Sequence, residues 1–347
     1  MDVSRLALPL HPDRLSQVVD SVERRHAAHA DAASILEDWA PCGCLVELAS
    51  LAHPSVMLPL AGLDDEEGAH VPTELDAPIV DAHVHVFPDP VFEALWRWFE
   101  RFGWPVRYRL TTPMLLDHLF TRGISKVVAL HYGHKPGISR SLNRYVAELA
   151  RTDPRVIGLG TVLPGEPDAI AIVEEVAAAG LSGIKLHCHV QAFSPDSDDA
   201  MPIFAACERL GLAVVLHAGR LPRSSAYPID PLLLCGVERV ERVVEAFPAL
   251  RLAIPHLGAD EVDGYTRLLE RTDNVVLDTT MMLAGYFPGD YFDALARCRP
   301  DRVMYGTDFP NLPYSWDREL RAIAERRLGE THVRALLGDV ARWFFRA

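Results

Sequence analysis

The stretch Ile79-Val80-Asp81-Ala82-His83-Val84-His85 joins a short β-branched run to two histidines one residue apart. Residues i and i+2 of an extended segment face the same side, so this run reads as a strand that aims two imidazoles at one place. Seven further runs of similar character follow, at 126–130, 156–160, 183–187, 213–217, 250–254, 275–279 and 303–307. Longer amphipathic stretches lie between them, among them 167–179, 200–210, 237–247 and 291–298, with Gly180, Gly211 and Pro300 as stop signals. Eight such repeats predict an α/β fold, a closed (β/α)₈ or TIM barrel over 77–347, rather than an open sheet. The wide gap after the first run, rich in Trp96, Trp98, Trp104 and Tyr108, needs more than one helix.

Residues 1–76 differ in character. Leu15, Val18, Val19 and Val22 recur at helical spacing and the composition stays rich in alanine and charge to Trp39, which predicts a mainly helical N-terminal extension. Asp64-Asp65-Glu66-Glu67-Gly68 reads as an exposed linker.

Barrel enzymes build their sites at the C-terminal ends of the strands, and that is where the candidate ligands fall. His83 and His85 follow the first run, His187 the fourth, His217 the fifth, His256 the sixth and Asp308 the eighth. His83, His85, His217 and Asp308 form a metal-ligand set, and Asp308 would also accept a proton from a metal-activated water. Mixed nitrogen and oxygen donors suit one divalent ion, Zn²⁺ first and Mn²⁺ or Fe²⁺ as alternatives. His256 is either a satisfied structural histidine or an acid–base residue; its place beside a metal favours catalysis.

Lys185, His187 and Arg220 are candidate substrate contacts. Lys185 would pair with Asp308 or a substrate carboxylate or, if carboxylated, bridge a second metal that also uses His256. His187 and His189 share a face, so one touches substrate while the other lines the loop. Arg107, Arg109, Arg220 and Arg223 offer guanidinium grips for a carboxylate, against the blander reading of solvated loop charge. Tyr132, His134 and Met281 are further candidates for the pocket wall.

A formal charge of −14 disfavours nucleic acid and anionic membranes and leaves a small molecule as the expected partner. No segment is apolar enough for a membrane span or signal peptide, and the six scattered cysteines make no disulfide framework or Cys-x-x-Cys pair. A cytoplasmic protein is expected, and by analogy with other acidic barrels a homodimer.

Five motifs carry a resemblance: Val80-Asp81-Ala82-His83-Val84-His85, Gly183-Ile184-Lys185-Leu186-His187, Leu216-His217-Ala218-Gly219, Pro255-His256-Leu257-Gly258 and Tyr305-Gly306-Thr307-Asp308-Phe309-Pro310. Together they resemble the amidohydrolase superfamily, and within it the amidohydrolase-related branch that includes aminocarboxymuconate-semialdehyde decarboxylase. The resemblance implies a barrel of the metal-dependent hydrolase type, with a metal at His83, His85, His217 and Asp308 and with His256 as the acid–base residue. The branch holds hydrolases, non-oxidative decarboxylases and a few hydratases. The first expectation is a metal-dependent hydrolase of a small amide, lactone or ester-like substrate. The alternative is decarboxylation of a small carboxylic acid, and last comes an inactive barrel used for binding.

Overall fold

The computed structural model describes residues 57–347. The helices expected before Trp39, and Cys42 and Cys44, lie outside these residues. The elements run β1 (Ile79–His85), α1 (Asp89–Phe102), α2 (Thr112–Thr121), β2 (Ile124–Leu130), α3 (Ser139–Thr152), β3 (Val156–Gly160), α4 (Ala169–Ala178), β4 (Gly183–His187), α5 (Met201–Leu210) and β5 (Ala213–His217). They continue as α6 (Val237–Ala246), β6 (Leu252–Ile254), α7 (Val262–Arg271), β7 (Val275–Asp278), α8 (Tyr291–Arg297), β8 (Val303–Met304), α9 (Arg318–Arg326), α10 (Glu330–Arg334) and α11 (Val340–Phe345). All eight strands are parallel, in the order β1 to β8. This is a (β/α)₈ barrel, and the wide gap after β1 holds the two helices α1 and α2.

β8 is shorter than its sequence run because the backbone beyond it bonds elsewhere. Tyr305 N–H donates to Leu336 O (2.8 Å), while Ala82 N–H donates to Tyr305 O (2.9 Å) and Asp308 N–H to His83 O (2.9 Å). The last two of those bonds close the ring between β8 and β1. The approach is tight: a Cβ on Gly306 would sit 2.8 Å from the His83 Cβ and 2.6 Å from Thr280 Oγ1.

The barrel interior is apolar at its lower end. Val80, Ala82, Val128, Leu130, Val215 and Met304 pack there with Ala341, Phe344 and Phe345 of α11. The C-terminal helix therefore plugs the end away from the strand C-termini. Arg342 fastens it by donating to Pro78 O (2.8 Å), and Arg251 donates to Phe344 O. A separate apolar layer, with Val84, Ile184, Leu216, Phe204 and Tyr265, packs the strands against the surrounding helices.

Residues 57–78 carry no helix and run over the barrel surface. Leu58 N–H donates to Arg223 O and Leu60 N–H to Gly103 O, both at 2.8 Å. The acidic stretch at 64–68 is largely exposed, as a linker would be, yet it is tied down. Asp65 accepts from Ser315 N–H (3.0 Å) and Oγ–H (2.6 Å) and pairs with Arg107 and Arg318 (3.1 Å each). Among the described residues four cysteines are free and buried, and no helix is long and apolar enough to cross a membrane.

Candidate metal centre

Simple alternation would put His83 and His85 on the face opposite Val80 and Ala82. The pairing of β1 with β2 shifts between Asp81 and Val84, so Val80 and Ala82 face the lower interior while His83 and His85 enter the mouth. A local bulge of this kind re-aims side chains. It leaves Asp81 buried and turned to the other end of the ring, where Thr307 donates to it through N–H (3.0 Å) and Oγ–H (2.6 Å). That grip holds the next residue, Asp308, at φ 80°, a region that side chains with a Cβ rarely adopt. His256 and Met281 also have positive φ, so strained backbone gathers around the mouth.

His83 Nε2 and His85 Nε2 converge on Asp308 Oδ1, at 3.4 and 3.0 Å. Their ring states follow from the outer bonds. His83 Nδ1–H donates to Asp278 Oδ2 (3.0 Å), which leaves Nε2 with the lone pair aimed into the site. His256 Nδ1–H donates to Thr280 O (3.0 Å), so its Nε2 accepts from His217 Nδ1–H (3.2 Å). His217 Nε2 is then a lone-pair nitrogen, buried and without a hydrogen-bond partner.

The electrostatics agree with metal ligation. Burial drives His83, His217 and His256 toward the neutral imidazole a metal requires, with Lys185 adding to the effect at His83 and His187 at His217. Burial alone would raise the Asp308 carboxyl, but the facing imidazoles of His85 and His83 bring it down to about 2. Imidazole nitrogens together with one carboxylate are donors of the kind that fit a divalent ion.

Two clusters have their ligand atoms within 4.8 Å of one another: His83 with His256 and Asp308, and His187 with His189 and His217. His85 joins the first through Asp308. The structure thus brings His256 as near to Asp308 as a ligand would be, while His217 stacks on His187 with ring centroids 3.9 Å apart. His189 donates from Nε2 to Gly219 O (2.9 Å) and lies fully buried beneath the cavity wall.

Other candidates lie away from the cavity. Arg220 pairs with Asp260 (2.7 Å) and Glu261 (3.4 Å) and does not line the cavity above the site. Arg107 and Arg109 are likewise taken up by Asp65 and Glu100. Lys185 is fully buried, outside the cavity lining, with Nζ 3.4 Å from His83 Nε2. Burial lowers its pKa to about 8, against the pull of Asp278 and Asp308. His187, Tyr132, His134 and Met281 do line the cavity.

Asp278 escaped the sequence reading. It ends β7 and accepts from His83 Nδ1–H, from His256 N–H (3.1 Å) and from Thr280 N–H (3.1 Å). An aspartate closing the run Val275-Val276-Leu277-Asp278 was the available signal.

Fold and site define a parallel α/β barrel with a histidine–aspartate centre at the C-terminal ends of its strands. The chain belongs to the amidohydrolase family, whose model matches residues 80–347. A 2-amino-3-carboxymuconate-6-semialdehyde decarboxylase of Dictyostelium discoideum is 34% identical over 84 residues, which span 23% of each chain. Among solved structures, a 5-carboxyvanillate decarboxylase from Novosphingobium aromaticivorans with manganese and 4-hydroxy-3-methoxy-5-nitrobenzoic acid superposes with a TM-score of 0.60. The two are 18% identical over 82% of this chain and 100% of that one. A 2,6-dihydroxybenzoate decarboxylase with its substrate gives 0.59 at 14% identity, over 78% and 100% of the respective chains. At these identities the structural likeness speaks to the fold.

Proposed function

We propose that this protein is a metal-dependent, non-oxidative decarboxylase of a small carboxylic acid. His83, His85, His217 and Asp308 would hold the ion, zinc or manganese, with Asp278 fixing His83. The observation that carries the reading is the hydrogen-bonded run Thr280 O, His256, His217 at the cavity floor, which sets a neutral imidazole beside the ligand group. The decarboxylases among the similar proteins support this reaction. Hydrolysis, the first expectation from sequence, draws no comparable support from them.

When bound, a divalent ion supplies an electrophilic anchor for the substrate carboxylate. The chain's own residues do the remainder. Asp308 and the three ligand imidazoles orient that anchor, and the apolar walls exclude water. His256 delivers a proton, drawn from solvent, to the carbon that keeps the electron pair as the bond to CO₂ breaks. One proton thus replaces one CO₂, and no water is consumed.

The test is a panel of aromatic and unsaturated acids offered to the metal-loaded protein in D₂O. CO₂ release with one deuterium at the vacated carbon is the expected result. Products that gain oxygen from labelled water, without CO₂, would establish hydrolysis instead.

A further inference from the structure

The cavity above the centre, about 290 Å³, has histidines and a carboxylate at its floor and walls that are mostly carbon, interrupted by Tyr132, His134, Tyr227, Tyr291 and Asn311. His85, His187, His217, His256 and Asp308 make the floor; Leu95, Trp98, Trp104, Leu221, Met282 and Phe287 belong to the walls. Among the described residues no lysine or arginine lines it. The guanidinium of Arg220 is spent on Asp260 and Glu261, Arg107 on Asp65, and the Lys185 ammonium lies behind the floor. Asp308 is the single acidic residue among the described residues that line it.

A carboxylate stripped of water needs a partner of opposite charge or a set of donors. Among the described residues that line the cavity there is no cation, so a metal ion at the floor would be the one positive partner and would seat one carboxylate. A second carboxylate on the same molecule would meet mostly tryptophan, leucine and phenylalanine surface, with the neutral groups of Tyr132, His134, Tyr227, Tyr291 and Asn311 between them and no cation among the described residues to balance its charge. The space is also too large for a small acid, because a cavity of about 150 Å³ already encloses benzene.

We propose that the substrate is a monocarboxylate whose remaining body is apolar and larger than one ring, a fused bicycle or a ring with a hydrocarbon arm, and that diacids are excluded. The assignment rests on the decarboxylase reading for the placement of the carboxylate at the metal. The absent wall cation sets the charge class, and the volume sets the size.

The experiment is calorimetric titration of the full, metal-loaded chain with 2-naphthoate, naphthalene-2,6-dicarboxylate and acetate. The naphthoate is expected to bind at least about tenfold more tightly than either of the others. Leu95→Arg, which adds a cation to the wall, is expected to raise diacid affinity about tenfold; Phe287→Arg serves if that variant does not fold. The proposal is overturned if the wild type binds the diacid as tightly as the monoacid, if neither binds at full metal occupancy, or if neither arginine variant improves the diacid. CO₂ release is scored separately on hydroxylated bicyclic monoacids. Preferential monoacid binding without CO₂ leaves the ligand class standing and defeats decarboxylation alone.

Discussion

His256 Nε2 lies 3.2 Å from His217 Nδ1, and the carbonyl of Thr280 fixes the direction of that bond by accepting the single ring proton of His256 at Nδ1, so that Nε2 accepts from His217. The two imidazoles therefore have different duties. His217 presents a lone pair at Nε2, whereas His256 has Nδ1–H engaged by Thr280 O and Nε2 engaged by His217.

Their substitutions should separate accordingly. His217→Ala is expected to lower metal content measured by elemental analysis. His256→Asn should keep the metal while slowing CO₂ release by about 10²–10⁴-fold, the span typical of a lost acid–base group. Equal metal loss in both variants would make His256 a ligand.

Asp278 acts through His83 and does not itself face the cavity. Asp278→Asn puts an amide where a carboxylate accepts three N–H groups, and metal affinity should fall about 10–100-fold. Competition with a chromogenic chelator reads this without any assay of turnover. Unchanged affinity would show that the His83 ring needs no such partner.

Arg220→Gln is expected to change KM for a monocarboxylate less than about threefold, because the guanidinium is occupied outside the cavity. Its cost should appear in stability. Asp260 and Glu261 are 10% and 7% exposed at the side chain, and losing their cation should cost about 1–3 kcal/mol in urea denaturation. A large rise in KM with unchanged stability would restore Arg220 as a substrate residue.

Asp65 ties the segment before the barrel to Ser315, Arg107 and Arg318. Burial opposes its ionisation, but the Ser315 and Arg318 bonds outweigh that, and its folded pKa lies below the ordinary 3.8. The folded state thus binds this proton less readily than the unfolded chain. The stabilisation is present above 3.8 and fades as pH falls through the lower folded value. Asp65→Asn should lower the unfolding free energy from urea denaturation at neutral pH by about 1 kcal/mol after solvent screening. The gap from wild type should narrow below pH 3.8. A gap independent of pH would assign the effect to hydrogen-bond geometry instead of charge.

Much of the architecture is written locally. Each strand announces itself by its own β-branched run, and Gly211 marks a helix end where the chain turns at φ 68°. Strand ends then carry His83, His85, His217, His256 and Asp308 to one mouth, because parallel closure gathers those ends. The features that escaped are made by residues far apart in the chain. Arg220 reads as a free cation until Asp260, 40 residues on, is found beside it. Asp278 gains its meaning from His83, 195 residues earlier, and the β1 bulge from its pairing with β2. Alternation and residue chemistry follow from the nearest neighbours along the chain; pairing of charges, ring states and cavity walls are settled by which surfaces meet when the barrel closes.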